Sequence, residues 1–240
     1  MSKNLYVENR PGWLKEYGDY AKQLNEIIVK LKIIEKYFPL SDRSKRWRIL
    51  DYGCAFGYYL RYLKELNPHH QLYGVDVAKD AIQETAKVIG EDHCFWARSS
   101  ESLPLEDKSM DIVYSFDMIE HVEDPDEITG FLNNMKRLLR EDGLAFIATP
   151  NYTRPMNIIY RVFNKTDFLT SDHKTLFTAA KLRKLISTVG LEVVRTEYSL
   201  GRLSSRGKKF PRRQIRWILE RLHLGYWFSV VIKHKEPPLE

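Results

Sequence analysis

The sequence predicts an α/β fold: a doubly wound, mostly parallel sheet with helices on both faces. Three observations carry that reading. Apolar strand-like runs alternate with amphipathic helix-like runs from residue 48 to residue 198. The first of these strands runs straight into a glycine-containing bend. Apolar residues make up 43% of the chain and charged ones 29%, the balance of a packed globular protein.

The chain's 240 residues read as one domain, large enough to bury a core without disulfide or metal staples. Only Cys54 and Cys94 are present, which excludes a disulfide scaffold and a four-cysteine zinc site and fits a reducing, cytoplasmic setting. No apolar run approaches the roughly 18 residues of a membrane span. No signal peptide is expected at the start.

The elements follow in order. Residues 1–12 read as a loose lead closed by Pro11-Gly12, and 13–39 as a capping helix. Its apolar stripe of Tyr20, Leu24, Ile27, Leu31, Ile34 and Phe38 is spaced 4, 3, 4, 3, 4. Pro39 helps to end it. Arg48–Tyr52 is a strand, 53–57 its loop and Tyr58–Leu66 a helix. Gln71–Val75 is the next strand and Lys79–Val88 the next helix, stopped by Gly90. Cys94–Ala97 and Asp111–Phe116 are strands, Glu127–Leu139 a helix and Leu144–Thr149 a strand. Ala179–Val189 is a helix stopped by Gly190, Leu191–Tyr198 a strand, and Tyr226–Lys233 the last strand. Residues 45–150 thus hold the crevice-forming half.

Two stretches break this rhythm, 151–178 and 200–224. Long connections in compact domains tend to be functional lids or disordered, and the aromatic content of these two favours lids. The second is strongly basic. Ten of the Lys/Arg residues and one acid, Glu220, fall between Arg202 and Lys235. That is a local +9 within a total of +6, so the rest of the chain carries −3. Ile215, Ile218, Leu219 and Leu222 would share one helix face over Pro211–His223, with Arg212, Arg213 and Arg216 off it. A covering helix with a solvated basic face is the plain reading. Contact of 202–221 with an anionic membrane surface or a phosphate-bearing substrate is the sharper one. Trp217, Tyr226 and Trp227 keep RNA contact open, but one patch without an appended RNA-binding module makes nucleic acid a poor partner.

The informative stretch is Ile49-Leu-Asp-Tyr-Gly-Cys-Ala-Phe-Gly-Tyr-Tyr-Leu60. Gly53 and Gly57 let the backbone approach a ligand at the carboxyl end of a strand, where open parallel sheets bind theirs. Asp51, just before the bend, can accept hydrogen bonds from a cationic ligand. A dinucleotide fingerprint needs glycines at 53, 55 and 58, but Ala55 and Tyr58 stand there, so hydride chemistry is disfavoured. No Walker ending is present. Asp76, at the end of the next strand, can hold both hydroxyls of a ribose. A third element, Asp111 to Pro125, is a strand leading into a polar loop. Its acidic run Glu123, Asp124, Asp126 and Glu127 suits a helix N-terminus.

These three elements, in this order and spacing, resemble the class I S-adenosylmethionine-dependent methyltransferases. Asp51-x-Gly53-x-x-x-Gly57 looks like their first motif, Asp76 like their ribose-binding acid, and Ser99-Ser-Glu-Ser-Leu-Pro104 like their adenine-side loop. Ser99 departs from the Asp usual there. Ile119-Glu-His-Val122, Thr149-Pro-Asn151 and Asp172-His-Lys-Thr-Leu-Phe177 are similar to the small-molecule branch, quinone-pathway and sugar-type enzymes. The resemblance covers about residues 45–198. It implies a seven-stranded sheet whose strand near 226–233 is inserted antiparallel, S-adenosylmethionine as cofactor, S-adenosylhomocysteine as product and no metal. It also implies a cofactor site of Asp51, Gly53, Cys54, Ala55, Gly57, Asp76, Val77, Ser99, Ser100, Glu101, Phe116 and Asp117.

The expected acceptor is a small molecule such as a sugar, a quinone or a lipid-linked intermediate, enclosed by Tyr152, Tyr160, Phe163 and Phe168. His121 and His173 are candidate proton-transfer groups, since histidine titrates near neutrality. His69, His70, His93, His223 and His234 read as structural or surface groups. Thr149-Pro-Asn-Tyr152 is no amino-group methyltransferase motif, because it follows the wrong strand. The rival functions are an RNA methyltransferase using residues 202–235, a non-catalytic cofactor-binding partner of another enzyme, and a nucleotide-dependent oxidoreductase.

Overall fold

A computed structural model describes residues 20–153, 173–199 and 227–236. Tyr160, Phe163, Phe168, the lead 1–12, the helix expected over 211–223 and the basic segment 202–221 lie outside these residues. The elements in chain order are α1 (Tyr20–Glu35), β1 (Arg48–Tyr52), α2 (Tyr58–Leu66), β2 (Gln71–Asp76), α3 (Lys79–Ile89), β3 (Cys94–Trp96), β4 (Met110–Phe116), α4 (Pro125–Leu138), β5 (Leu139–Pro150), α5 (Ala179–Thr188), β6 (Leu191–Ser199) and β7 (Trp227–His234).

The seven strands of the described residues join one sheet in the order β3-β2-β1-β4-β5-β7-β6. β1, β2, β3, β4 and β5 pair in parallel; β7 lies antiparallel to both β5 and β6. The expected antiparallel insertion is therefore present. Strand order reverses between β1 and β4, so their carboxyl ends diverge into the crevice where such sheets bind ligands.

Alternation along the strands sorts the core into two layers. Ile49, Ile112, Tyr114 and Phe146 pack with Ile27, Leu31 and Ile34 of α1 and with Leu60, Leu63 and Ile82. Leu50, Val113 and Ile147 face Phe131, Leu132 and Met135 of α4 and Leu182 and Ile186 of α5. Burial on both faces is why these strands read as nearly unbroken apolar runs.

Three boundaries differ from the sequence reading by two residues or more. α1 ends at Glu35, and the Tyr37 and Phe38 N–H groups both turn back to the Ile34 carbonyl at 2.9 Å. Pro39 disfavours helical backbone at Phe38, yet the turn keeps that ring on the apolar stripe. α4 begins at Pro125, because Asp124 caps the Asp126 N–H and proline suits the first helical position. β5 begins at Leu139, pairing with Met110 before an irregularity resumes the register at Ile112–Leu144. Gly143 permits this, since a Cβ there would lie 3.0 Å from the Asp111 carbonyl oxygen.

Candidate active site

The bend after β1 is built around backbone that ordinary side chains resist. Gly53 and Gly57 sit at φ 84° and 69°. A Cβ on Gly53 would fall 2.5 Å from Met118 Cγ, and one on Gly57 2.8 Å from Thr85 Oγ1. Ala55 adopts φ 44° without being glycine. Its N–H donates to Asp76 Oδ2 at 2.8 Å, and its carbonyl accepts from the Thr85 hydroxyl at 2.8 Å. Those bonds hold a strained residue in place. Asp76 Oδ1 also accepts the Ala78 N–H at 2.8 Å, so one carboxylate braces both the bend and the start of α3. Burial raises the Asp76 pKa, while these backbone donors pull it back. The residue stays half-buried, and a carboxylate has about four acceptor sites, so lone pairs remain for a ligand.

Asp51 lies beneath the bend, 2% exposed. Among the described residues its Oδ2 has no hydrogen-bond partner. Burial pushes its pKa up to about 8; the Tyr114 hydroxyl nearby favours the carboxylate without reaching full hydrogen-bond geometry, and the Asp76 charge adds to the rise. Cys54 is buried beside them, and burial pushes its thiol well above the usual range, so it is no nucleophile.

On the far side of β2, Val77 is half-buried, and its carbonyl accepts from the Trp96 indole N–H at 3.0 Å. Trp96 remains 57% exposed, with the Lys79 ammonium 4.7 Å from its ring centre. Ser99 is buried, and its hydroxyl donates to Glu127 Oε1 at 3.1 Å. The Ser99 carbonyl accepts from the Tyr52 hydroxyl and the Asn134 amide, and Asn134 also reaches the Glu101 carbonyl at 2.8 Å. The loop carrying Ser99, Ser100 and Glu101 is thus pinned to α4, with the side chains of Ser100 and Glu101 exposed.

Past β4 the chain becomes polar. Phe116 is buried against Tyr59 and Tyr114, whereas Met118 covers Gly53. Asp117 sits at φ 54° and pairs with the ammonium of Lys30 from α1. Lys30 is 8% exposed, also meets Glu26 at 2.9 Å and lies 4.9 Å from the Trp227 ring centre. Glu120 is buried and accepts the Thr149 hydroxyl at 2.8 Å. Burial raises its pKa. The Glu120 carbonyl accepts the N–H groups of Lys174 and Thr175 at 2.8 and 3.0 Å, which brings His173 beside His121 with ring centres 5.2 Å apart. Tyr152 is half-buried, its N–H on the Phe177 carbonyl.

The structure therefore gathers Asp51, Gly53, Cys54, Ala55, Gly57 and Asp76 at one end of the crevice. Asp117, His121, His173 and Tyr152 stand along the β4–β5 edge. Sequence reasoning missed Lys30, Glu120 and Thr149. Lys30 was legible, lying three residues after Ile27 and four before Ile34, on the apolar stripe itself. Glu120 and Thr149 fell within stretches already marked by the resemblance, but Glu120's own role gave no signal, because its burial depends on Thr149 and on the returning chain at 173–175. His70 and His93 are structural as expected, bonded to the Leu40 and Leu72 carbonyls.

A sulfonium nucleoside fits these residues: an orphaned buried acid for its ammonium, a glycine bend for its amino-acid end and a half-buried acid for its ribose. A family profile described as a methyltransferase domain matches residues 20–196. The chain is 25% identical over 198 residues to a ubiquinone biosynthesis O-methyltransferase of Neisseria meningitidis, covering 77% of this chain and 79% of that protein. It is 30% identical over 159 residues to a protein of the same name from Bartonella bacilliformis, covering 61% and 60%. A solved structure of a SAM-dependent methyltransferase from Archaeoglobus fulgidus matches with a TM-score of 0.63 at 19% identity, over 92% of this chain and 97% of that one. At that identity the likeness shows the fold.

Proposed function

The chain belongs to the S-adenosylmethionine-dependent methyltransferases, and from that premise we propose that it methylates an oxygen of a small acceptor. The cofactor supplies a methyl group already activated on a positive sulfur, so the protein's work is to bind, align and dehydrate. Gly53 and Gly57 admit the amino-acid end of the cofactor. Asp51 takes its ammonium, Asp76 the ribose hydroxyls, and Val77 with the Ser99–Glu101 loop flanks the adenine. Holding both reactants in line supplies several kcal/mol of barrier lowering.

The acceptor lies along the β4–β5 edge, among Lys30, Asp117, Glu120, His121, Tyr152 and His173. The observation that carries this reading is the density of buried and half-buried polar groups beside the bend. Lys30 offers a fixed cation to an anionic oxygen, and the two imidazoles can take up a departing proton. Oxygen is favoured as the methylated atom because two relatives above are named as O-methyltransferases, and because this cluster suits a hydroxyl losing its proton.

The test is turnover with isotopically labelled methyl donor over phenols, vicinal diphenols, sugars and prenylated acceptors, read by mass spectrometry. Methylation of a small hydroxyl compound, with RNA unlabelled, is expected. Labelling of RNA that weakens steeply with salt would move the acceptor to nucleic acid. Donor binding with no turnover on any acceptor would favour a partner protein without catalysis of its own.

A further inference from the structure

We infer that Glu120, His121 and His173 form a binding site for one first-row divalent cation, zinc in the first place, with an open position for the acceptor's oxygen. The three side chains can each present a ligand atom, and these atoms lie within 4.8 Å of one another. A tetrahedral zinc with bonds of about 2.1 Å puts its ligand atoms roughly 3.4 Å apart, so closing the site takes side-chain movements of about an ångström. Glu120 is buried and both histidines are half-buried, so the carboxylate is shielded while the imidazoles keep part of their surface accessible.

The surroundings are those of a held site. The Thr149 hydroxyl fixes the carboxylate plane of Glu120 through one oxygen at 2.8 Å. The two N–H bonds from Lys174 and Thr175 to the Glu120 carbonyl, and the Thr175 hydroxyl on the Val122 carbonyl at 2.7 Å, clamp the His173 segment to the His121 turn. His121 and His173, 52 residues apart in sequence, are thereby held as neighbours before any ion arrives. Outer contacts of this kind orient metal ligands and tune affinity. Two imidazoles and one carboxylate select zinc, manganese or iron(II) over magnesium and calcium, which prefer oxygen alone.

Three protein ligands plus an open position is the pattern of a catalytic cation rather than a structural one. A hydroxyl oxygen bound there has its pKa lowered by the positive charge. With both imidazoles bound to the cation they no longer take up the proton: the O–H bond breaks, the proton leaves to solvent, and the electron pair stays on the oxygen, held on the cation. This role rests on the proposed O-methylation; the cation site itself does not. It departs from the sequence expectation of no metal.

The test uses the full untagged chain, stripped with chelator and titrated with zinc chloride and with magnesium chloride by calorimetry, without acceptor or methyl donor. One zinc per chain is expected, bound at least tenfold more tightly than magnesium. His121→Ala with His173→Ala should abolish that binding, and Thr149→Val should weaken it about tenfold. No saturable zinc binding by the wild type, or undiminished binding by the double variant, overturns the proposal. Should the variants fail to fold, cobalt(II) added to the wild-type chain gives a second reading. Intense visible bands of a four-coordinate site with nitrogen ligands support the proposal, and the weak spectrum of hydrated cobalt overturns it. Binding of the methyl donor by the wild type, measured separately, distinguishes the two claims: no donor binding with zinc affinity intact overturns the proposed function and leaves the cation site standing alone.

Discussion

Replacing Asp51 by asparagine separates what the buried acid does for the ligand from what it does to the fold. Its folded pKa is about 8 against an ordinary 3.8, with burial the main cause. Between those values the unfolded chain is ionised at this position while the folded chain holds a proton. The folded state thus binds more protons, and its stability falls as pH rises, by about 1.4 kcal/mol per unit, until pH passes 8. From pH 6 to pH 8 the wild type should lose about 2 kcal/mol that Asp51→Asn does not lose. The asparagine amide, buried where Oδ2 has no partner, costs about 1–3 kcal/mol, a penalty that does not vary with pH. The readout is therefore the change with pH, not the absolute difference. Urea unfolding of both proteins at pH 6, 7 and 8, followed by circular dichroism, measures it. A difference between the two proteins that stays level over that range would refute the reasoning and put the Asp51 pKa near its ordinary value.

Further expectations follow from the same residues. Binding of the cationic nucleoside to wild type at pH 7 should release close to one proton from Asp51, so affinity rises with pH towards 8; calorimetry in buffers of different ionisation heat counts it, and no buffer dependence would count against an ammonium contact. Gly53→Ala, forced to φ 84° with its Cβ 2.5 Å from Met118 Cγ, should destabilise the chain by about 1–3 kcal/mol in urea and remove donor binding. Lys30→Met should raise KM for the acceptor several-fold and leave donor affinity unchanged. A double-mutant cycle with Asp117→Asn should show coupling above about 1 kcal/mol in stability.

The cofactor half of the site was legible because its signals are local. Gly53, Gly57 and the strand-end acids Asp51 and Asp76 are fixed by backbone geometry within a few residues, and the alternation that places them on adjacent parallel strands is a short-range pattern. The sequence did not reveal that Asp76 also braces Ala55, nor that one Asp51 oxygen is left without a partner among the described residues; both follow from tertiary packing. The acceptor side was read only in part. His121 and His173 stood out by residue type alone. Their meeting depends on the Glu120 carbonyl capturing residues 174 and 175 across half a hundred positions, which no local pattern encodes. The early start of β5 has the same origin, a register irregularity against β4 that Gly143 allows.

The most direct test of the account is a crystal structure of the chain with S-adenosylhomocysteine. The account expects the nucleoside at the carboxyl edge of β1 and β2, its ribose hydroxyls on Asp76 and its amino-acid end along Gly53–Gly57. A nucleoside seated anywhere else on the sheet, or well-formed crystals in which Asp76 touches no part of it, would contradict the account at its centre.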